Sequence, residues 1–205
     1  MSTYKYYYWK FDAALSNHFC DEIIKYGKSK NSQQALTGDF QDKEKLSEED
    51  EKKLKKLRDS RVVFLDELWV YKEITPFINI ANQNAKWNFT WERTESCQFT
   101  EYGPHQYYGW HCDAWKYPYS EPPWRKGLIR KLSVILSLSD PSDYEGGELE
   151  FDLKQEPEPT KRICKEIKPK GSIVVFPSFM WHRVKPVTKG IRHSLVAWNL
   201  GKPYV

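Results

Sequence analysis

Hydrophobic positions along the chain follow two different rhythms, and the change falls near residue 86. Upstream, apolar residues mostly recur at helical spacing. Phe19, Ile23 and Tyr26 share a face after Ser16, a fitting N-cap. Ile74, Phe77, Ile78, Ala81 and Ala85 form a second stripe over 69–85, and Pro76 is expected in the first turn of the helix it belongs to. Between these stripes, 28–42 is polar and read as a loop. Residues 43–58 are mostly charged and predict an exposed helix starting at Ser47, with acids in its first turn and lysines later. Residues 4–11 and 61–65 read as strands. Downstream, short strand-like runs follow one another at 87–92, 96–102, 107–113, 131–139, 147–152, 162–168, 172–176, 181–187 and 191–199, separated by Gly, Pro and Asp. The expected fold class is mainly β with flanking α: a jelly roll over 93–205, with 1–92 as a support whose helices pack on one sheet, in a single domain over 1–205.

Composition sharpens this only slightly. Nine Trp and thirteen Tyr argue against a disordered chain. The net charge of +4 is too small to indicate a nucleic-acid surface. Cys20, Cys97, Cys112 and Cys164 are widely spaced, with no CxxC pair, so neither a disulfide framework nor a zinc ribbon is expected. The opening MSTYKYYYWKF lacks the apolar core of a secretion signal, and no run is long enough for a membrane span. A cytoplasmic setting is the resulting expectation.

The candidate chemistry lies in Tyr107–Asp113, YYGWHCD. On a strand, alternate side chains share a face, so His111 and Asp113 point together and Cys112 points away. An imidazole beside a carboxylate suits a first-row divalent metal. His-x-Asp alone is a weak signal. A third ligand must come from elsewhere, and His18, His105, His182 and His193 are the other histidines. His105 follows the Gly103-Pro104 turn and His18 belongs to the first helix. His182 follows a strand and a Pro-bearing turn in GSIVVFPSFMWHRV, a rigid place for a ligand. A 2-His-1-carboxylate set leaves positions open for a bidentate 2-oxoacid and for O2. Arg192 lies ten residues after His182 and offers a planar fork to a distal carboxylate. Ser194, Val196 and Trp198 share its strand face. Ser194 can add a hydrogen bond, and Val196 and Trp198 can wall the pocket.

Together, His111-Cys112-Asp113, the run LSLSDPSDYEGGELEF at 136–151 and HRVKPVTKGIR at 182–192 resemble the prolyl-hydroxylase-like 2-oxoglutarate/Fe(II) oxygenases, above all their small PKHD-type bacterial and phage members. The resemblance covers roughly 96–200. It implies a double-stranded β-helix, Fe(II), 2-oxoglutarate and O2 as cofactors, ascorbate as a reductant, and hydroxylation coupled to release of succinate and CO2. It also implies that Tyr102, nine residues before His111, contacts the cosubstrate. Two positions depart from the pattern. His105 stands where many relatives carry Gly, and Ser137 stands where several carry a Tyr that reaches the cosubstrate. Nucleic-acid demethylases with related cores carry an Arg six residues past the cosubstrate Arg; Trp198 stands there.

Residues 114–130, AWKYPYSEPPWRKGLIR, form a long loop directly after Asp113. Trp115, Tyr117, Tyr119, Trp124 and Arg125 make it a candidate lid over an extended peptide. Gly146-Gly147 reads as a tight turn into a strand. The leading expectation is a hydroxylase of peptidyl proline, with a peptide or protein as partner. An oxygenase of a free amino acid or other small molecule is the alternative within the same chemistry. A non-catalytic metal-binding jelly roll is the alternative outside it, and would need a fourth protein ligand.

Overall fold

A computed structural model describes residues 6–37, 47–153 and 161–204. Residues 4 and 5 of the first expected strand, 38–42 of the expected loop and 43–46 of the charged segment lie outside the described residues.

The N-terminal part runs β1 (Trp9–Phe11), α1 (Asn17–Lys28), β2 (Gln33–Gln34), α2 (Glu48–Leu57), β3 (Arg58–Asp59), β4 (Arg61–Leu65) and α3 (Leu68–Asn84). Both expected caps are in place. Ser16 Oγ accepts from Phe19 N, and Ser47 forms a capping box with Asp50. Three expectations need correction here. The supposed loop at 28–42 contains the short strand β2, which pairs with β4. The charged helix ends at Leu57, and Arg58 beyond it is buried at 3% exposure instead of continuing an exposed face. Pro76 sits inside α3, which begins eight residues earlier. The buried stripe Val70, Ile74, Ile78 and Ala81 runs straight through the proline. Burying Val70, Ile74 and Ile78, each worth about 1.5–3 kcal/mol, outweighs the roughly 3 kcal/mol that an interior proline costs.

The β-rich part comprises β5 (Arg93–Thr94), β6 (Cys97–Tyr102), β7 (Tyr107–His111), β8 (Ile129–Ser137), β9 (Tyr144–Gly146), β10 (Leu149–Asp152), β11 (Lys161–Ile163), β12 (Ile173–Pro177), β13 (Trp181–Val184), β14 (Val187–Gly190) and β15 (Arg192–Gly201). No strand covers 87–92. Instead the Asn82 amide takes over the backbone there, donating to Phe89 O and accepting from Phe89 N, while Lys86 and Asn88 adopt positive φ. The expected strand at 162–168 stops at Ile163 and continues into a 3-10 turn at Lys165–Ile167. The expected strand at 181–187 is divided between β13 and β14.

Strands form a large sheet in the order β1-β12-β8-β15-β6-β4-β2, with β5 also on β15, a smaller sheet β11-β10-β13-β7-β3, and the pair β14-β9. Every pairing is antiparallel. The large sheet is covered on both faces, which explains why its central strands read as nearly unbroken apolar runs. Leu132, Val134 and Leu136 of β8, Ile173 and Val175 of β12, and Leu195 and Ala197 of β15 pack with α1 and α3. The alternate residues Ile135, Val174 and Phe176 face inward, against Leu149 and Phe151 of the smaller sheet. The helices do not all back one sheet: α2 packs beside β3 and β7, at the edge of the smaller sheet. The architecture is the expected jelly roll, with β7, β13 and β15 bringing His111, His182 and Arg192 to its interior.

Candidate active site

His111 is the last residue of β7, and His182 is its direct cross-strand partner on β13. Asp113 is not on the strand with His111, as the alternation predicts, but in the turn after it. Backbone bonds from Asp113 N and Ala114 N to Ser178 O hold that turn, both at 2.9 Å. The result is nonetheless convergent. His111 Nε2 lies 3.7 Å from Asp113 Oδ1, and His182 Nε2 lies 3.7 Å from Asp113 Oδ2. The three ligand atoms fall within 4.8 Å of one another, and they are the only such cluster among the described residues.

The residues fit a divalent metal on three counts. His111 Nδ1 donates to Gly109 O and His182 Nδ1 to Met180 O, each at 2.9 Å, which leaves both Nε2 lone pairs facing Asp113. Asp113 Oδ2 is buried and has no hydrogen-bond partner, a costly state for a carboxylate without a cation. Burial holds the His111 imidazole well below its usual pKa, with His182 adding to the effect, so His111 is kept in its neutral, metal-binding form. Burial pushes Asp113 upward, but His182, His111 and Arg130 outweigh it, and the carboxyl ends below its usual range.

Beyond the cluster lies a narrow chamber of about 30 Å³, lined by Tyr102, His111, Asp113, Ile135, His182, Arg192, Ser194, Val196 and Trp198, among others. Arg192 is 2% exposed. It donates to Ser194 Oγ at 3.4 Å and lies 5.6 Å from the centre of the Tyr102 ring. No carboxylate pairs with it among the described residues. Gly147 and Arg192 are neighbours: a Cβ on Gly147 would lie 2.9 Å from Arg192 Cδ. The double glycine is therefore more than a turn, since its second member leaves room for the arginine stem. Ser137 is not in the chamber wall. It stands opposite Ser194 in the β8–β15 register, and the β8 residue lining the chamber is Ile135. His105 adopts φ +68°, which explains why a glycine suits that position. His193 is occupied by Glu101 and Ser139, on the opposite face from Arg192.

A larger cavity of about 400 Å³ opens on the other side of Asp113. Of the expected lid residues, Trp115, Tyr119 and Arg125 line it. Tyr117 faces an outer groove of about 550 Å³, and Trp124 lines neither. Trp198 spans chamber and cavity, under the Arg130 guanidinium at 3.9 Å. Glu95 binds Arg125 at 2.9 Å and Arg130 at 2.5 Å, tying the loop to β8. Arg58, Tyr108 and Arg130 also line the cavity, and none of them stands out in the sequence. Tyr108 shares the YYGWHCD run and faces the site because it stacks on the His111 ring at 3.5 Å. Arg58 is hidden in a charged segment and carries no local signal.

The sequence profile described as the 2OG-Fe(II) oxygenase superfamily matches residues 97–199. A PKHD-type hydroxylase of Synechococcus sp. (strain CC9902) is 44% identical over 92 residues, which is 44% of this chain and 35% of that protein. Another, of Klebsiella pneumoniae subsp. pneumoniae, is 36% identical over 100 residues, 49% of this chain and 41% of that one. The matched stretches thus span less than half the length of these curated relatives. The viral collagen prolyl hydroxylase of Paramecium bursaria Chlorella virus-1, solved with 2OG, superposes with a TM-score of 0.65 at 22% identity, covering 96% of this chain and 97% of that one. A Pseudomonas putida prolyl-4-hydroxylase gives 0.65 at 18% identity, over 97% and 95%. The fold is shared with both. Half of the chain, with His111, Asp113, His182 and Arg192 inside it, matches the profile, and the chain belongs to the 2OG-Fe(II) oxygenase superfamily, whose cofactors are Fe(II), 2-oxoglutarate and O2.

Proposed function

We propose that the protein is a 2-oxoglutarate-dependent dioxygenase that hydroxylates a peptidyl proline. One observation carries the reading: two imidazoles and an unpartnered carboxylate oxygen converge at one end of a chamber that holds a buried, unpaired guanidinium. His111, Asp113 and His182 are the residues that would hold iron. Bound there, iron supplies the activation of O2 that couples decarboxylation of 2-oxoglutarate, to succinate and CO2, with hydroxylation.

The protein's own part is positioning. Arg192 meets the distal carboxylate of the cosubstrate with charge-assisted bonds, and Ser194 and Tyr102 stand beside it. The chamber of about 30 Å³ is narrow, and Val196 and Trp198 wall it together with Arg192. With these side chains around the cosubstrate, bulk water is kept from the reacting end.

A peptide substrate is supported by what surrounds the cavity. Its volume of about 400 Å³ exceeds what one prolyl ring needs, so flanking residues can enter with it. Trp115 and Phe64 expose rings in its lining, and Tyr117 exposes one in the adjoining outer groove, a surface suited to an extended, proline-bearing chain. Among the described residues the metal cluster has three members, which favours catalysis over a purely structural site, where a fourth protein ligand closes the metal. The test is mass spectrometry on a proline-containing peptide library incubated with Fe(II), 2-oxoglutarate and ascorbate. A product 16 mass units heavier, absent with His182→Ala, is expected. Succinate release without any modified peptide would move the substrate to a free amino acid or another small molecule.

A further inference from the structure

Three guanidiniums line the substrate-side cavity, and their surroundings differ in kind. Arg125 and Arg130 share the carboxylate of Glu95. Arg58, also in the lining, has no carboxylate among the described residues, although it is 3% exposed. Its Nε donates to Ser60 Oγ at 2.9 Å, one Nη donates to Leu36 O at 3.4 Å, and its plane lies 4.4 Å from the centre of the Tyr108 ring. A guanidinium carries five N–H donors, so these contacts leave most of its capacity unused. Asp59, next in the chain, does not help: its carboxylate accepts from Gln106 and Gln34 instead. Arg58 reaches both spaces, lining the metal-side chamber as well as the cavity. A buried, permanently charged group without a counter-ion is costly, and a ligand carboxylate would offset that cost.

A second donor in the same lining is also incomplete. Trp198 Nε1 is buried without a hydrogen-bond partner. An indole N–H can only donate, so what it lacks is an acceptor. On the anionic side, Asp113 belongs to the metal cluster and Glu95 is shared between two arginines. Among the described residues, the cavity therefore presents uncompensated positive charge and donors to whatever enters it.

We propose that Arg58 is a specificity residue that binds a carboxylate of the substrate, so that the group hydroxylated lies next to an anionic function. This rests on the oxygenase reading only in taking the cavity as the substrate's place. The carboxylate can come from an acidic neighbour in a peptide, from a peptide C-terminus, or from a free amino acid, and the three sources separate by experiment.

The test is calorimetric binding to the full chain with Fe(II) and 2-oxoglutarate under anaerobic conditions, where no turnover occurs. Three probe pairs are used: N-acetylproline and its amide; N-acetyl-Ala-Pro-Gly and its amide; and amidated N-acetyl-Glu-Pro-Gly and N-acetyl-Gln-Pro-Gly. In at least one pair the carboxylate form should bind roughly tenfold tighter or more, the scale of a charge-assisted bond in a buried site. Which pair responds names the source. Arg58→Gln should abolish that preference, and Arg58→Lys should keep part of it, because lysine retains the charge without the fork. A merely structural arginine would change the affinity of both members of a pair alike. Equal binding within all three pairs, no binding by any probe, or a preference that survives in Arg58→Gln overturns the proposal. The comparison within pairs needs only the wild-type chain, so it stands even if a variant fails to fold. Failure of the oxygenase reading shows separately, as absence of succinate from the wild-type protein given Fe(II) and 2-oxoglutarate.

Discussion

Gly147→Ala puts the link between the double-glycine turn and the cosubstrate anchor to a quantitative test. Gly147 has φ +64°, and an alanine there costs roughly 1–2 kcal/mol for the left-handed conformation alone. Its new Cβ would also lie 2.9 Å from Arg192 Cδ and 3.0 Å from Val187 Cγ2. Ordinary contact begins near 3.4 Å, so the arginine stem must move by about 0.5 Å or the turn must open. Overpacking of this kind adds about 1–3 kcal/mol. The expected loss of stability is about 2–5 kcal/mol in urea unfolding. Displacing the guanidinium weakens charge-assisted bonds worth about 1.5–3 kcal/mol, so KM for 2-oxoglutarate, measured by succinate release, should rise roughly tenfold. Gly146→Ala is the control. Its Cβ would strike backbone, Pro186 O at 2.4 Å and Thr188 N at 2.9 Å, and would disturb the β9–β14 pairing without a direct push on Arg192. It should destabilise at least as much while raising that KM less. If Gly147→Ala lost stability but kept KM for 2-oxoglutarate within twofold, the proposed role of the Arg192 stem would be wrong.

Adding Mn(II) or Fe(II) to the metal-free protein should stabilise it by about 2.7 kcal/mol at a hundredfold excess over Kd; persistence of the full effect in His182→Ala would remove His182 from the site. The metal-free protein should lose stability as pH falls below about 6.5, by up to roughly 1.4 kcal/mol per unit for each histidine involved. His111 and His193 are both held below their usual pKa, chiefly by burial, so unfolding takes up protons in that window and the loss levels off below the folded values. Asp113, lowered from 3.8, adds its own loss only in more acid solution, so flat stability between pH 5 and pH 6.5, roughly the interval between the carboxylate and histidine ranges, would contradict the burial of these imidazoles. Trp115→Ala should raise KM for a peptide substrate about tenfold, and Trp124→Ala much less, since only Trp115 lines the cavity. Equal effects would mean that the loop acts as a whole and not through Trp115.

Much of the site was legible because its ligands stand in segments with strong local character. His111 and Asp113 are two apart, His182 opens a strand after a proline turn, and Arg192 begins the long apolar strand β15. The face-sharing argument for His111 and Asp113 reached the right pair for an incomplete reason: the strand ends at His111, and bonds to Ser178 O bring the aspartate round. The misread elements share a cause. Pro76 inside α3 and the irregular run at 87–92 are settled by the buried helix stripe and by the Asn82 amide, which act across elements and outweigh local preference.

The order of hydrophobic and polar residues determined the sheet-and-helix layers, because alternation decides which face of each strand is buried. The same order, with its motif spacing, determined which residues could bind a metal and an oxoacid. Only the tertiary structure decided that Arg58, at the end of a charged helix, is buried beside Tyr108, that Ile135 and not Ser137 lines the chamber, and that Glu95 ties the loop to β8. Such pairings join residues tens of positions apart, and no local pattern encodes them. They exist because closing two sheets over one interior forces charged side chains from separate parts of the chain to find partners there, or to keep a place for one.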